Sequence, residues 1–372
     1  MLAKMFVGTL EQLIDYCLKR EKGENIYTPS DYGLNPAVTY QELDSFFAET
    51  RNGKSIKEQI DSIYRLSGLQ QGMLFHGLYD SSGSYIEQFA CDLVGVNLDA
   101  LLSSWSSVIQ NHSILRSAFY YDTFSIPVQC VFREVTLPLE QLDYRRLDDA
   151  ALAEALDAYE SADRVKGFDF KSAPLMRLAL IRITDNRYRM VWTSHHLLFD
   201  GWSMPILIEE FLNTYDLLVS AKALPVAQVD RYEDYIRYLE RLDKEAAEDY
   251  WRNYLNEIEQ GTLLPFIRKT ERTKGIGEYR TLPLHFDGVA IEQINKYAQA
   301  NRLTINTLMQ GAWAWLLHQY TGNREVSYGV IVSGRPAELP DVEQRVGMYI
   351  NTLVLKAIAD PGEETSVLLQ NI

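Results

Sequence analysis

The sequence predicts an α/β protein of two lobes. Runs of alternating apolar and polar residues are interleaved with stretches of helical period, and this happens in both halves of the chain. The chain has 372 residues, 47% of them apolar and 12% aromatic, enough to bury one large core or two adjoining ones. The formal net charge is −15, with Lys and Arg scattered among acids, which argues against a nucleic-acid surface.

Residues 1–54 differ from the rest of the chain. Leu10, Leu13, Ile14 and Cys17 mark a short amphipathic helix, and "YTPSDYGLNP" (27–36) is a turn-rich loop. "TYQELDSFF" starts a second helix, with Thr39 three residues before Glu42 as a capping box. "ETRNGKS" is a polar linker, and the segment holds too few apolar residues for a core of its own. The opening run, interrupted by Glu11 and Asp15, is too short and too acidic for a signal peptide. No stretch approaches a membrane span. Cys17, Cys91 and Cys130 are widely spaced, with no C-x-x-C pair, as expected of reduced thiols in a cytoplasmic protein.

From residue 55 to 228 the pattern becomes regular. Leu98, Leu101, Leu102, Trp105, Val108 and Ile109 follow a helical period, whereas "PVQCVFREV" and "RLALIRI" alternate as strands. Asp185 and Asn186 suggest a tight turn into "RYRMVWTSHH", and Ser203 is placed to cap the helix "SMPILIEEFLNTYDLLVSA". Residues 229–372 repeat the theme: a long charged helical stretch over 232–259, a strand near 278–286, helices near 289–301 and 304–320, then the strands "EVSYGVIVS" and "NTLVLKAI".

Chemistry concentrates in "HHLLFDGWS" (195–203). Successive strand side chains point to opposite faces, so His195 and His196 cannot both reach one ion, and zinc needs three or four converging donors. That argues against a metal site. A histidine at a strand end can be a satisfied polar residue, or a neutral base and positioning group near neutral pH. Alternation alone does not say which of the pair faces inward. Gly201 would permit close backbone approach and unusual dihedrals where the strand turns into the next helix.

"HHLLFDG" resembles the HHxxxDG signature of condensation domains in nonribosomal peptide synthetases. Four further segments, in order, are similar to elements of the same family: "IDSIYRLSGLQQGMLFHGL" (60–78), "NHSILRSAF" (111–119), "DRYEDYIRYLE" (230–240) and "VSGRPAELPDVEQRVGMYINTL" (332–353). The resemblance implies two chloramphenicol-acetyltransferase-like lobes in a V, with carrier domains delivering thioesters from opposite ends of a tunnel. It implies amide formation, in which an acceptor aminoacyl amine attacks a donor peptidyl thioester held on 4'-phosphopantetheine. No cofactor would be bound by the domain itself. His196 would be the catalytic histidine, with His195 packing away from it. Asp200 would pair with Arg116 to fix the loop, and both would be structural, as would Gly201. Arg116 is expected on a core strand, and Trp202 is expected to pack at the lobe interface.

"GWSMPIL", "QQGMLFH" and "YIEQF" (85–89) look most like the subtype taking donors that end in a D-residue. The segment 1–54 resembles the C-terminal tail of an epimerization domain, which would make neighbouring epimerization and adenylation domains partners. An epimerization domain as the main body fits less well, since its motif runs DGVSW where this chain has Asp200, Gly201, Trp202 and Ser203. Family members continue beyond the equivalent of Ile372, so the second lobe is expected to be incomplete. Two other functions stay open: a stand-alone coenzyme A-dependent acyltransferase, and a non-catalytic carrier-docking remnant.

Overall fold

The computed structural model describes residues 6–10, 27–51, 53–79, 85–226, 229–256, 258, 261–266, 282–360, 362 and 364–372. Near the start the chain is helical over 6–10, and the rest of the amphipathic helix expected there, including Leu13, Ile14 and Cys17, lies outside the described residues.

After the turn-rich loop, Thr39 and Glu42 form the expected capping box. The Glu42 amide donates to Thr39 Oγ1 at 3.2 Å and the Thr39 amide to Glu42 Oε2 at 2.7 Å, opening α1 (Tyr40–Ala48). This segment lacks a core of its own and joins another. Leu34, Val38, Leu43, Phe46 and Phe47 pack with Ile63, Ala118, Tyr120, Val128 and Cys130. Phe46 meets Tyr120 edge-on at 4.9 Å. A small hairpin, β1 (Thr50–Arg51) and β2 (Lys54–Ser55), and one helical turn, α2 (Ile56–Gln59), lead into β3 (Ile60–Arg65). With β5 (Ser117–Tyr120) and β6 (Val128–Phe132), β3 makes an antiparallel sheet in the order β3-β6-β5.

A second sheet, β4-β9-β8-β7, carries the motif. β4 (Ile86–Val94), β8 (Met176–Thr184) and β9 (Arg187–His195) are antiparallel, while β7 (Leu139–Asp143) runs parallel to β8. The Asp185–Asn186 turn joins β8 to β9 as its residue types require. Helix α3 (Gly68–Tyr79) precedes β4. On the sheet face, α4 (Leu98–Asn111) packs with α6 (Ser203–Val219), while α5 (Asp149–Lys166) covers the other face. Trp105 lies 4.7 Å from Trp192 and 4.8 Å from Phe211, and Trp192 lies 5.6 Å from Phe199. Burying each such ring is worth about 1.5–3 kcal/mol, so the strand carrying the histidines is anchored by its own core residues.

The charged stretch 232–259 is two helices, α7 (Glu233–Arg241) and α8 (Lys244–Tyr254), because the Asp243 carboxylate takes the Glu245 and Ala246 amides and starts a new helix. Helices α9 (Gly288–Ala300) and α10 (Ile305–Thr321) and the antiparallel pair β10 (Glu325–Val332) and β11 (Asn351–Ile358) match the expectation, and α11 (Thr365–Asn371) follows. Of the strand expected near 278–286, residues 278–281 lie outside the described ones and 282–286 are irregular. Tyr232, Tyr235, Ile236, Leu339, Val346, Met348 and Tyr349, all from the second half, share one core with Trp105 and Trp192. Among the described residues no helix is long and apolar enough to cross a membrane.

Candidate active site

Strand β9 ends at His195, and the chain then turns into α6. His195 is 2% exposed, its ring 5.1 Å from that of Phe170, and its Nδ1 accepts the Leu197 amide at 3.1 Å. Burial, and secondarily the neighbouring His196, push its pKa down to about 3, so it is a neutral packing residue. His196 stands on the other face and keeps 19% of its side chain accessible. Its Nδ1 lies 2.9 Å from the Phe199 carbonyl, an acceptor, so Nδ1 carries a proton and, in the neutral ring, Nε2 presents its lone pair. Nε2 is 3.4 Å from Glu87 Oε1 on β4. The register explains the meeting: Glu87 pairs with Ser194, and alternation returns His196 to that same face.

The turn is held from both sides. Leu197, Leu198 and Phe199 are buried, and Gln70 of α3 donates Nε2–H to the Leu197 carbonyl at 3.0 Å. Asp200 is wholly buried, and both of its carboxylate oxygens are hydrogen-bonded. Oδ1 accepts the Ser203 amide at 3.0 Å and lies 2.8 Å from Ser203 Oγ. Oδ2 accepts the amides of Tyr349 at 3.0 Å and Ile350 at 3.2 Å. The cation is Arg335, whose Nη2 is 3.4 Å from Asp200 Oδ1 and whose guanidinium stacks 4.3 Å from the Tyr349 ring.

The structure corrects four expectations. Arg116 does not reach Asp200. It ends a 3₁₀ turn, Ser113–Arg116, just before β5, and donates to the carbonyls of Ile109, Gln110 and Phe132. The first two are unpaired carbonyls at the end of α4, where a cation also favours the helix dipole. Its nearest carboxylate is Asp61, at 3.9 Å. Gly201 has no positive φ, and a Cβ there would meet open space, so nothing in the backbone demands glycine. A tight position near the motif is Gly347, where a Cβ would collide with the Tyr232 ring. Trp202 is 55% exposed and is no interface packing residue. Ser203 is the first helical residue and supplies no cap: Asp200 takes its amide instead.

Sequence reasoning missed Arg335, Glu87 and His112. His112 is buried at the end of α4, with Nε2 2.6 Å from Glu210 and Nδ1 3.3 Å from Asp230. Burial opposes its charge but the two carboxylates outweigh that, and its pKa rises to about 9. Arg335 lies in "SGRP" and His112 in "NHSILRS", so the segments were visible though the roles were not.

With this geometry in place the family is clear. Residues 60–372 match the family described as Condensation domain, and the chain belongs to it. Among curated proteins it is similar to bacitracin synthase 1 from Bacillus licheniformis, 34% identical over 355 residues, 95% of this chain and 7% of that protein. It is also similar to gramicidin S synthase 2 from Brevibacillus brevis, 33% identical over 302 residues, 81% of this chain and 8% of that one. The chain thus spans a small part of the relatives it matches. The first condensation domain of the calcium-dependent antibiotic synthetase, solved with a substrate analogue, shares the fold. Its TM-score is 0.65 at 19% identity, covering 84% of this chain and 73% of that one. The architecture is therefore the α/β, chloramphenicol-acetyltransferase-like one that the resemblance implied.

Proposed function

We propose that the chain forms the amide bond of a nonribosomal peptide, joining a donor peptidyl thioester to an acceptor aminoacyl amine, each on the phosphopantetheine of a carrier domain. The supporting observation is His196: a ring with Nδ1 fixed by the Phe199 carbonyl and Nε2 beside Glu87 on a partly accessible face. A thioester is already activated, so the chemistry needs a positioned amine, a proton acceptor and a stabilised oxyanion. Nε2 serves the second need and helps the first. Asp200, sealed from solvent, holds the turn and does not touch substrate. Residues 1–54 fit an upstream epimerization domain's tail, 55–228 the first lobe and 229–372 the second. That tail and the "GWSMPIL" and "YIEQF" segments support a D-configured donor, with epimerization and adenylation domains as neighbours in a cytoplasmic synthetase.

The test uses the protein with two loaded carrier domains and mass spectrometry of the product. His196→Ala is expected to lower the rate on the order of 10²-fold or more with an unchanged melting temperature, and D-terminated donors are expected to outcompete L-terminated ones. Near-normal product from His196→Ala would sink the assignment. Equal rates for the two donors would remove the subtype alone.

A further inference from the structure

Nε2 of His196 and Oε1 of Glu87 lie 3.4 Å apart, both on partly accessible side chains, and in the neutral ring both are acceptors. Because Nδ1–H is committed to the Phe199 carbonyl, the ring in this tautomer has no proton to offer the carboxylate. The other titratable group beside them, His195, is buried and neutral and donates nothing toward the pair. Two acceptors held face to face call for a nucleophile with at least two N–H bonds between them. Neither an ester-forming hydroxyl nor a thiol has two.

We propose that Glu87 and His196 together bind the acceptor α-amine, with Glu87 choosing amine over hydroxyl nucleophiles. The inference rests on the amide-forming reading above and adds a second residue that touches substrate. The amine arrives as an ammonium, hydrogen-bonded to Oε1 and Nε2, and gives its first proton to the Glu87 carboxylate, which releases it to water. The nitrogen lone pair then attacks the thioester carbonyl and forms the C–N bond. His196 Nε2 takes the second proton from nitrogen. As the C–S bond breaks, the imidazolium returns that proton to the departing thiolate. The balance is one amide, one thiol and one proton, with no outside reagent.

Position supports the assignment. Glu87 lies near the start of the edge strand β4, its backbone paired with Ser194, so its placement is set by strand register and not by a loop. Its side chain is 36% accessible, and the ring it faces is that of His196, which makes substitution structurally mild.

The experiment offers two acceptors on one carrier domain, glycyl and glycolyl thioesters, to the protein and to its Glu87→Gln and Glu87→Ala variants. Losing a charged hydrogen bond to the ammonium should lower kcat/KM for the glycyl acceptor by about 10–10²-fold. Slow ester formation from the glycolyl acceptor should change less than about twofold, since a hydroxyl uses Nε2 alone. Melting temperatures should stay unchanged. Unchanged glycyl kinetics would overturn the inference, and so would equal losses with both acceptors, which would make Glu87 merely a positioning partner of His196. If His196→Ala also leaves the glycyl rate intact, or the unmodified protein makes no amide, the proposed function itself fails.

Discussion

Removing the Asp200 carboxylate should unfold the turn that carries His196. The ion pair with Arg335 is 3.4 Å long, with side chains 0% and 4% exposed. At an effective dielectric of about 20 the attraction has a ceiling of about 5 kcal/mol, and desolvation offsets part of it. Taking away one partner strands the other charge, which costs about 3–5 kcal/mol. Asp200→Ala also leaves the amides of Tyr349 and Ile350 without their acceptor, while the Ser203 amide keeps only the Asp200 backbone carbonyl. A loss of that size is a large share of the usual domain stability of about 5–15 kcal/mol. The assay is a double-mutant cycle read by urea unfolding, comparing Asp200→Ala with Arg335→Ala and, separately, with Arg116→Ala. The first cycle should give a coupling of about 1–3 kcal/mol and the second less than about 0.5 kcal/mol. A coupling to Arg116 as large as that to Arg335, or none to Arg335, would refute the reasoning.

His112 makes stability depend on alkaline pH. Its folded pKa of about 9 exceeds the ordinary 6.5, so its contribution is complete below about pH 6.5, declines from there and is lost as pH rises through 9. The loss should be on the order of 3 kcal/mol, measured as unfolding free energy at pH 6 and pH 9.5, and His112→Gln should flatten the difference. Gly347→Ala should cost about 1–3 kcal/mol through the Tyr232 ring, whereas Gly201→Ala should stay within about 0.5 kcal/mol. Calorimetry of the two variants decides it, and equal losses would contradict the packing described.

The sequence revealed those elements whose cause is local. Strands β6 and β8 follow from alternation, β9 from the turn before it, α4 and α6 from helical period, and the Thr39 box from spacing. The break between α7 and α8 was hidden because Asp243, inside a run of charges, reads like any other surface acid. The partner of Asp200 was illegible for a different reason. An ionised carboxylate among apolar neighbours demands a cation, but the demand does not say which. Arg335 is 135 residues away, and Arg116 looks equally suitable in sequence, where the carbonyls ending α4 that occupy it are invisible. Glu87 needed the β4–β9 register, which no single strand's pattern contains.

The contacts between Asp200 and the amides of Tyr349 and Ile350 also set an order of events during synthesis. The sheet leading into both histidines is complete once residue 195 exists, yet the seat for the motif's charge lies up to 150 residues further on. At translation rates of roughly 5–20 residues per second, that is a wait of roughly 8–30 s. During it Asp200 has the Ser203 amide but neither its cation nor the amides of Tyr349 and Ile350, so its Oδ2 stays hydrated. The nascent first lobe therefore holds its histidines in place well before the bend beneath them is set. The seat of the motif's carboxylate is finished by a late, distant piece of chain.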